Sequence, residues 1–246
     1  SSLAILMSRI VDDFQINYLD TIAKRLNTSN HGTNFGDWYA ILLDVSNSKK
    51  IKRIKEDKII FPEVVYFLRN PETINILSRI KDKRNDESHG RGPKGEIALE
   101  KIFYETFEEL DLLLLYSQFL TEYHLIYIEN TRYNSIQNTL FYEYRNFTGD
   151  HPLSPILKDS VKYKNGAVIA IDSKAYYIRC KDEKIYLISP LLSRIQCPEC
   201  QKWSSFYLDK YDSINEECIV KGIDNDERHS IKDSSLTEGF KYFGLI

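Results

Sequence analysis

Arg84, Asn85 and His89 are the residues whose types and spacing best suit chemistry. They stand in the stretch Arg79-Ile80-Lys81-Asp82-Lys83-Arg84-Asn85-Asp86-Glu87-Ser88-His89-Gly90, as the pattern R-N-x-x-x-H-G. Near neutral pH an imidazole can take up or release a proton. A guanidinium stays charged and presents paired donors that match a phosphate. With an amide beside them, these groups suit phosphodiester cleavage without a metal. The plainer reading is a polar helix end beside solvent, because the helix dipole favours positive side chains at C-termini.

Cys197-Pro198-Glu199-Cys200 is the sharpest metal-like motif. Its spacing fits a knuckle whose backbone N–H groups point at a metal-bound thiolate, and a structural zinc needs four ligands. Cys180, Cys218 and His229 are the further candidate ligands, although none lies in a second C-x-x-C. The alternatives are a turn with two free thiols and the remnant of a zinc ribbon. Thiol redox chemistry would need a thioredoxin-like βαβ setting, which the pattern lacks.

Four other features read as structure. Arg145 and His151 repeat the arginine–histidine pairing, but in a strand-then-turn context. Gly90-Arg91-Gly92-Pro93-Lys94-Gly95 matches G-x-G-x-x-G in letters only, since a dinucleotide fingerprint follows a strand and Pro93 removes a donor. The basic run Lys49–Lys58 reads as a solvated face, with a phosphate-backbone contact as the alternative. His31 reads as a loop histidine.

The whole chain sets limits on what these residues serve. Its 246 residues make one large domain or two small ones. Hydrophobic residues at 42% supply a core, and a charged fraction of 28% argues against bulk disorder. A net charge of −3, balanced between the halves, disfavours nonspecific coating of duplex DNA. Any nucleic-acid site is therefore a local patch. Four cysteines do not make a disulfide framework. The most apolar run, residues 110–116, is too short to span a bilayer. These features imply a cytoplasmic protein without a membrane partner. The chain opens on Ser1-Ser2 without methionine, as a module of a longer protein would.

Helical spacing dominates residues 1–118. It predicts a helix over 2–27, another over 35–45, two that begin at Pro62 and Pro71, and the longest over 95–118. The helix from Pro71 runs to Arg84, and Gly90, Gly92 and Pro93 cannot continue it. From about residue 119 the period changes to two. Short alternating runs at 123–128, 140–144, 167–171, 175–180, 184–188, 205–208 and 218–220 predict strands. The expected fold class is α+β, with an N-terminal four- or five-helix bundle over 1–118 and a C-terminal antiparallel β-rich domain over 119–246.

An R-N-x-x-x-H motif between the last two long helices of such a bundle resembles the HEPN (higher eukaryotes and prokaryotes nucleotide-binding) superfamily. Ser88-His89-Gly90 resembles the glycine-histidine-glycine that ends the motif in some bacterial members, with serine in the first place. Thr33-Asn34-Phe35-Gly36-Asp37-Trp38 resembles the start of their second helix. The resemblance covers about residues 1–118, and the β-rich half resembles modules that follow HEPN domains in some bacterial proteins. It implies a metal-independent endoribonuclease with no catalytic cofactor, acting on RNA as a homodimer in toxin or antiviral defence. On that likeness His89 is general base or acid, Arg84 stabilises the transition-state charge and Asn85 orients the pair. The product is a 2′,3′-cyclic phosphate. Many members are inactive, so a dimerisation or RNA- or partner-binding module of a larger defence protein is the alternative.

Overall fold

The structure, a computed structural model, describes residues 34–47, 61–147, 154–162, 171–180, 184–197, 201, 203–212, 214–223 and 227–242. The expected helix at 2–27, His31, the run Lys49–Lys58, residues 167–170, His151 and Cys200 lie outside these residues. The chain divides into two compact units, the first reaching Thr121 and the second taking up at Glu122.

The first unit contains α1 (Phe35–Asn47), α2 (Pro62–Arg69), α3 (Pro71–Ser88) and α4 (Glu96–Tyr116), followed by a 3-10 turn at Gln118–Glu122. Asn34 starts α1: its Oδ1 accepts from the N–H of Gly36 at 2.8 Å, and Asp37 Oδ2 accepts from Asn34 N–H at 3.0 Å. Asn70 ends α2 and caps α3, its Oδ1 accepting from Glu72 N–H at 3.0 Å. Pro62 and Pro71 each occupy a first turn, where a missing N–H costs nothing. Ile41, Leu42, Phe61, Val64, Val65, Phe67, Leu68, Ile76 and Leu77 are buried.

The second unit holds two antiparallel sheets. The first runs in the order β3-β2-β1-β4-β5, formed by Leu157–Lys162, Thr139–Asn146, His124–Asn134, Tyr176–Arg179 and Ile185–Leu187. The second runs β6-β7-β8-β9, formed by Leu192–Gln196, Trp203–Asp212, Glu217–Gly222 and Arg228–Ile231. Alternation sets which side chains turn inward. Ile126, Ile128, Leu140, Tyr142, Tyr144 and Tyr177 form one face of the first sheet's core. The buried hydroxyls of Tyr176 on β4 and Ser205 on β7 lie 2.5 Å apart and join the two sheets.

Helices and strands are not segregated as the sequence suggests. Helix α5 (Ser234–Tyr242) follows the last strand, so the chain is mixed α+β rather than an N-terminal bundle with a β domain after it. Asp233 caps α5, its Oδ1 accepting from the N–H groups of Ser235 and Leu236 at 2.8 and 3.0 Å. Leu236 and Phe240 anchor the helix, and Gly239 lets Pro190 pack close, where a Cβ would meet its Cγ at 2.9 Å. Two anchors one turn apart are too short a pattern to announce a helix. The bundle reading also needed a buried face on α4, yet α4 buries no residue. Ile97, Leu99, Phe103, Phe107, Leu110 and Leu114 are exposed instead. No helix among the described residues is long and apolar enough to cross a membrane.

Candidate functional site

Helix α3 carries Arg84 and Asn85 in its last two turns, and His89 is its C-cap. The end of the helix is a complete Schellman turn. Gly90 N–H donates to the Glu87 carbonyl at 3.1 Å, and Arg91 N–H to the Asp86 carbonyl at 2.8 Å. This closure requires a left-handed residue, and Gly90 supplies it with φ +64°. Ser88 Oγ donates back to the Arg84 carbonyl at 2.9 Å. The backbone around His89 is thus fixed by four hydrogen bonds, counting that of its own N–H to Asn85.

Packing against α4 holds this helix end in place. Arg79 Nε donates to Glu109 Oε1 at 2.5 Å, and Lys83 Nζ to Glu109 Oε2 at 3.0 Å. Burial pushes the Glu109 carboxyl up, but the two cations outweigh it and hold the group below its ordinary value. At the other end, Tyr116 Oη donates to Glu72 Oε2 at 2.6 Å. The two helices are therefore held antiparallel by contacts near mid-length and at the start of α3, with residues 89–95 as their connection. On α3's other flank Lys81 Nζ lies 5.0 Å from the Tyr39 ring centroid of α1.

Arg84 and His89 are exposed and Asn85 is half-buried. Among the described residues the side chains of these three make no hydrogen bond or ion pair. Five positions along a helix turn the direction by about 140° and advance it by about 7.5 Å. Arg84 and His89 therefore project from different sides of the same helix end. Within one chain they can each reach a phosphate, but not by pointing at each other.

Arg145, the arginine of the second pair, is engaged elsewhere. Its Nε lies 2.7 Å from Glu129 Oε1, and its Nη1 donates to the Ser154 carbonyl. The G-x-G-x-x-G letters fall in the connection between α3 and α4, with Gly95 as the N-cap of α4.

The cysteine candidates separate. Cys197 follows β6 and is fully buried, and its Sγ lies 3.1 Å from Nδ1 of His229 on β9. His229 Nε2 lies 3.8 Å from Glu227 Oε2. Cys218 is on β8 and bonds to Thr237, and burial pushes its thiol up. Cys180 follows β4 in the other sheet. Among the described residues no three or more His, Cys, Asp or Glu side chains cluster as a metal site. Glu227 was missed by sequence reading; it stands two positions before His229, but only the structure brings that pair to Cys197. Compared with protein-family models, curated proteins and solved structures, the chain gives no match.

Proposed function

We propose that the end of α3 is the cleavage site of an endoribonuclease of the HEPN type, acting on RNA as a homodimer in a toxin or antiviral defence role. The observation that carries this reading is the Schellman turn. It fixes the backbone of His89 beside Arg84 and Asn85, while all three side chains keep their polar groups unspent. An exposed cation without a carboxylate partner is available to a phosphate.

In this mechanism a neutral His89 imidazole accepts the proton of the ribose 2′-OH. The 2′-oxygen forms a bond to phosphorus as the bond from phosphorus to the 5′-oxygen breaks. The leaving oxygen takes a proton from an imidazolium, and the product ends in a 2′,3′-cyclic phosphate. Arg84 balances charge on the phosphorane-like transition state, and Asn85 holds a phosphate oxygen. These residues need no metal to move the proton. Because Arg84 and His89 project from different sides of one helix end, two copies placed face to face would complement each other. The setting we propose is cytoplasmic.

Incubation of the full chain with end-labelled RNA in EDTA, beside His89→Ala and Arg84→Ala, tests the reading. Cleavage by the unaltered chain and its loss in both variants are expected. Equal cleavage by all three removes it.

One observation favours a second reading, a catalytically inactive dimerisation or partner-binding module of a larger defence protein. The exposed apolar stripe Leu99, Phe103, Phe107, Leu110 and Leu114 on α4 is a surface of the kind association buries. Light scattering tests the dimer that both readings share, since a persistent monomer counts against dimerisation in either, and the cleavage assay separates the two.

A further inference from the structure

We propose that α4 is the docking face for a basic amphipathic helix of another protein, with an arginine of that helix seated in the cleft beside Glu96 and Glu100. The inference deepens the partner-binding reading of α4 and does not depend on whether Arg84 and His89 cut RNA.

An amphipathic helix ordinarily buries its apolar stripe, and α4 leaves its stripe open. At 100° per residue, Leu99, Phe103, Phe107, Leu110 and Leu114 fall within about 80° of the helix circumference and run about 22 Å along it. Phe103 packs edge-on against Tyr104, with centroids 5.7 Å apart, and stacks on Phe107 at 6.3 Å, so the rings form one continuous surface. Phe103, Tyr104 and Phe107 are 64, 59 and 60% exposed. At roughly 200 Å² for such a side chain, these three alone present about 350 Å², the size of patch that marks an interaction site.

Charge selects the occupant. The helix contains six carboxylates and one lysine. Glu109 is held by Arg79 and Lys83, and Glu105 lies 3.9 Å from Lys101. Glu100 and Asp111 border the stripe and Glu96 heads it, and among the described residues these three have no ion pair. A second copy of α4 laid on the stripe gathers like charges, which disfavours it. An anionic lipid surface and a nucleic-acid backbone are disfavoured in the same way. A partner whose apolar stripe is bordered by lysine and arginine is attracted instead. That partner is helical, because α4 offers no strand edge. An extended segment lying on it would leave its own N–H and C=O groups unpaired. A helix satisfies its own, and two helices pack stripe to stripe with axes about 8–10 Å apart.

The N-terminal end of the stripe makes the assignment more specific. An open cleft of about 570 Å³ is lined by Gly95, Glu96, Leu99, Glu100, Phe103 and Tyr104. Aromatic rings beside two carboxylates suit a guanidinium, which stacks on ring faces and forks to oxygens. Arginine is also among the residues that dominate interface energies.

The test uses the full chain and two fluorescent synthetic helical peptides that share one leucine stripe. The first carries arginine and lysine at its other positions, and the second carries glutamate there. The unaltered chain should bind the basic peptide about tenfold or more tightly than the acidic one, with the gap narrowing in high salt. Glu100→Lys combined with Asp111→Lys should reverse the preference. Phe103→Ala combined with Phe107→Ala should weaken the basic peptide by about tenfold or more. Exchanging the peptide's arginines for lysine should weaken it by about threefold or more, since lysine lacks the planar fork. His89→Ala should bind as the unaltered chain does, so failure of the cleavage reading leaves the docking face standing. Equal affinity for the two peptides, or binding of neither, overturns the proposal. So does a dimer that Phe103→Ala with Phe107→Ala converts to monomer, because a second copy then occupies the face.

Discussion

The backbone N–H of His89 donates to the carbonyl of Asn85 at 3.1 Å, so the candidate proton-transfer residue is the one that ends the helix carrying the candidate phosphate ligands. His89 and Arg84 are both exposed, and their side chains support no other part of the described fold. Replacing either by alanine should therefore change stability by no more than about 0.5 kcal/mol. Loss of general acid–base action should nonetheless lower RNA cleavage by at least about 100-fold. Thermal melts and cleavage rates on the same preparations check both halves. A large melting shift would mean that the residues act in the fold.

Gly90 separates backbone from side-chain effects at the same place. At φ +64° a Cβ meets nothing within 4 Å, so space is not the obstacle. The obstacle is the left-handed conformation, which costs an ordinary residue about 1–2 kcal/mol. Gly90→Ala should destabilise by about 1 kcal/mol and lower cleavage by loosening the turn around His89. Gly90→Asn should recover part of both, because asparagine tolerates that conformation better. Urea titration and cleavage assays of the two variants give the comparison.

Glu109 makes a prediction in pH. Arg79 and Lys83 hold its carboxyl below the ordinary value of 4.5 in the folded chain, against the upward push of burial. A carboxyl depressed by folding contributes stability above its unfolded value and loses it as pH falls through the folded one. Stability should therefore fall on acidification below about 4.5, and Glu109→Gln should remove part of that slope. Arg79 is half exposed, so screening limits the effect at neutral pH to roughly 1 kcal/mol. Denaturation midpoints across pH 3–7, an interval spanning the ordinary carboxylate range, show whether the two curves converge in acid.

How legible these features are depends on the range over which each is encoded. Helix α3 is written locally: Asn70-Pro71-Glu72 starts it, Ile76 and Leu77 face inward, and Gly90 stops it. The Arg84–His89 segment is readable for the same reason. Strands β1 and β2 announce themselves by buried alternation at Ile126, Ile128, Leu140, Tyr142 and Tyr144. Strand β3, with Lys158, Asp159, Ser160 and Lys162, is a polar edge whose only announcement would be its partner. The short β6 and β9 are hidden in the same way, and α5 by its brevity. The approach of Cys197 to His229 spans 32 positions. It depends on three successive strand pairings from β6 to β9, which no local pattern encodes.

Asp209 illustrates how one such pairing is kept. The register of β7 against β8 slips between Leu208 and Lys210, and Asp209 is the residue at the slip. Its side chain is almost fully buried, and its Oδ2 lies 2.8 Å from Arg228 Nε on β9. Removing the cation would leave a buried carboxylate short of compensation, which commonly costs 3–5 kcal/mol. Asp209 makes further interactions and Arg228 is half exposed, so Arg228→Ala should cost less, about 2 kcal/mol. Asp209→Leu, combined with Arg228→Ala, removes the stranded charge and should recover part of that loss. A double-mutant cycle by urea denaturation measures the coupling. Strictly additive losses would show that the bulge, rather than the ion pair, sets the position of Asp209.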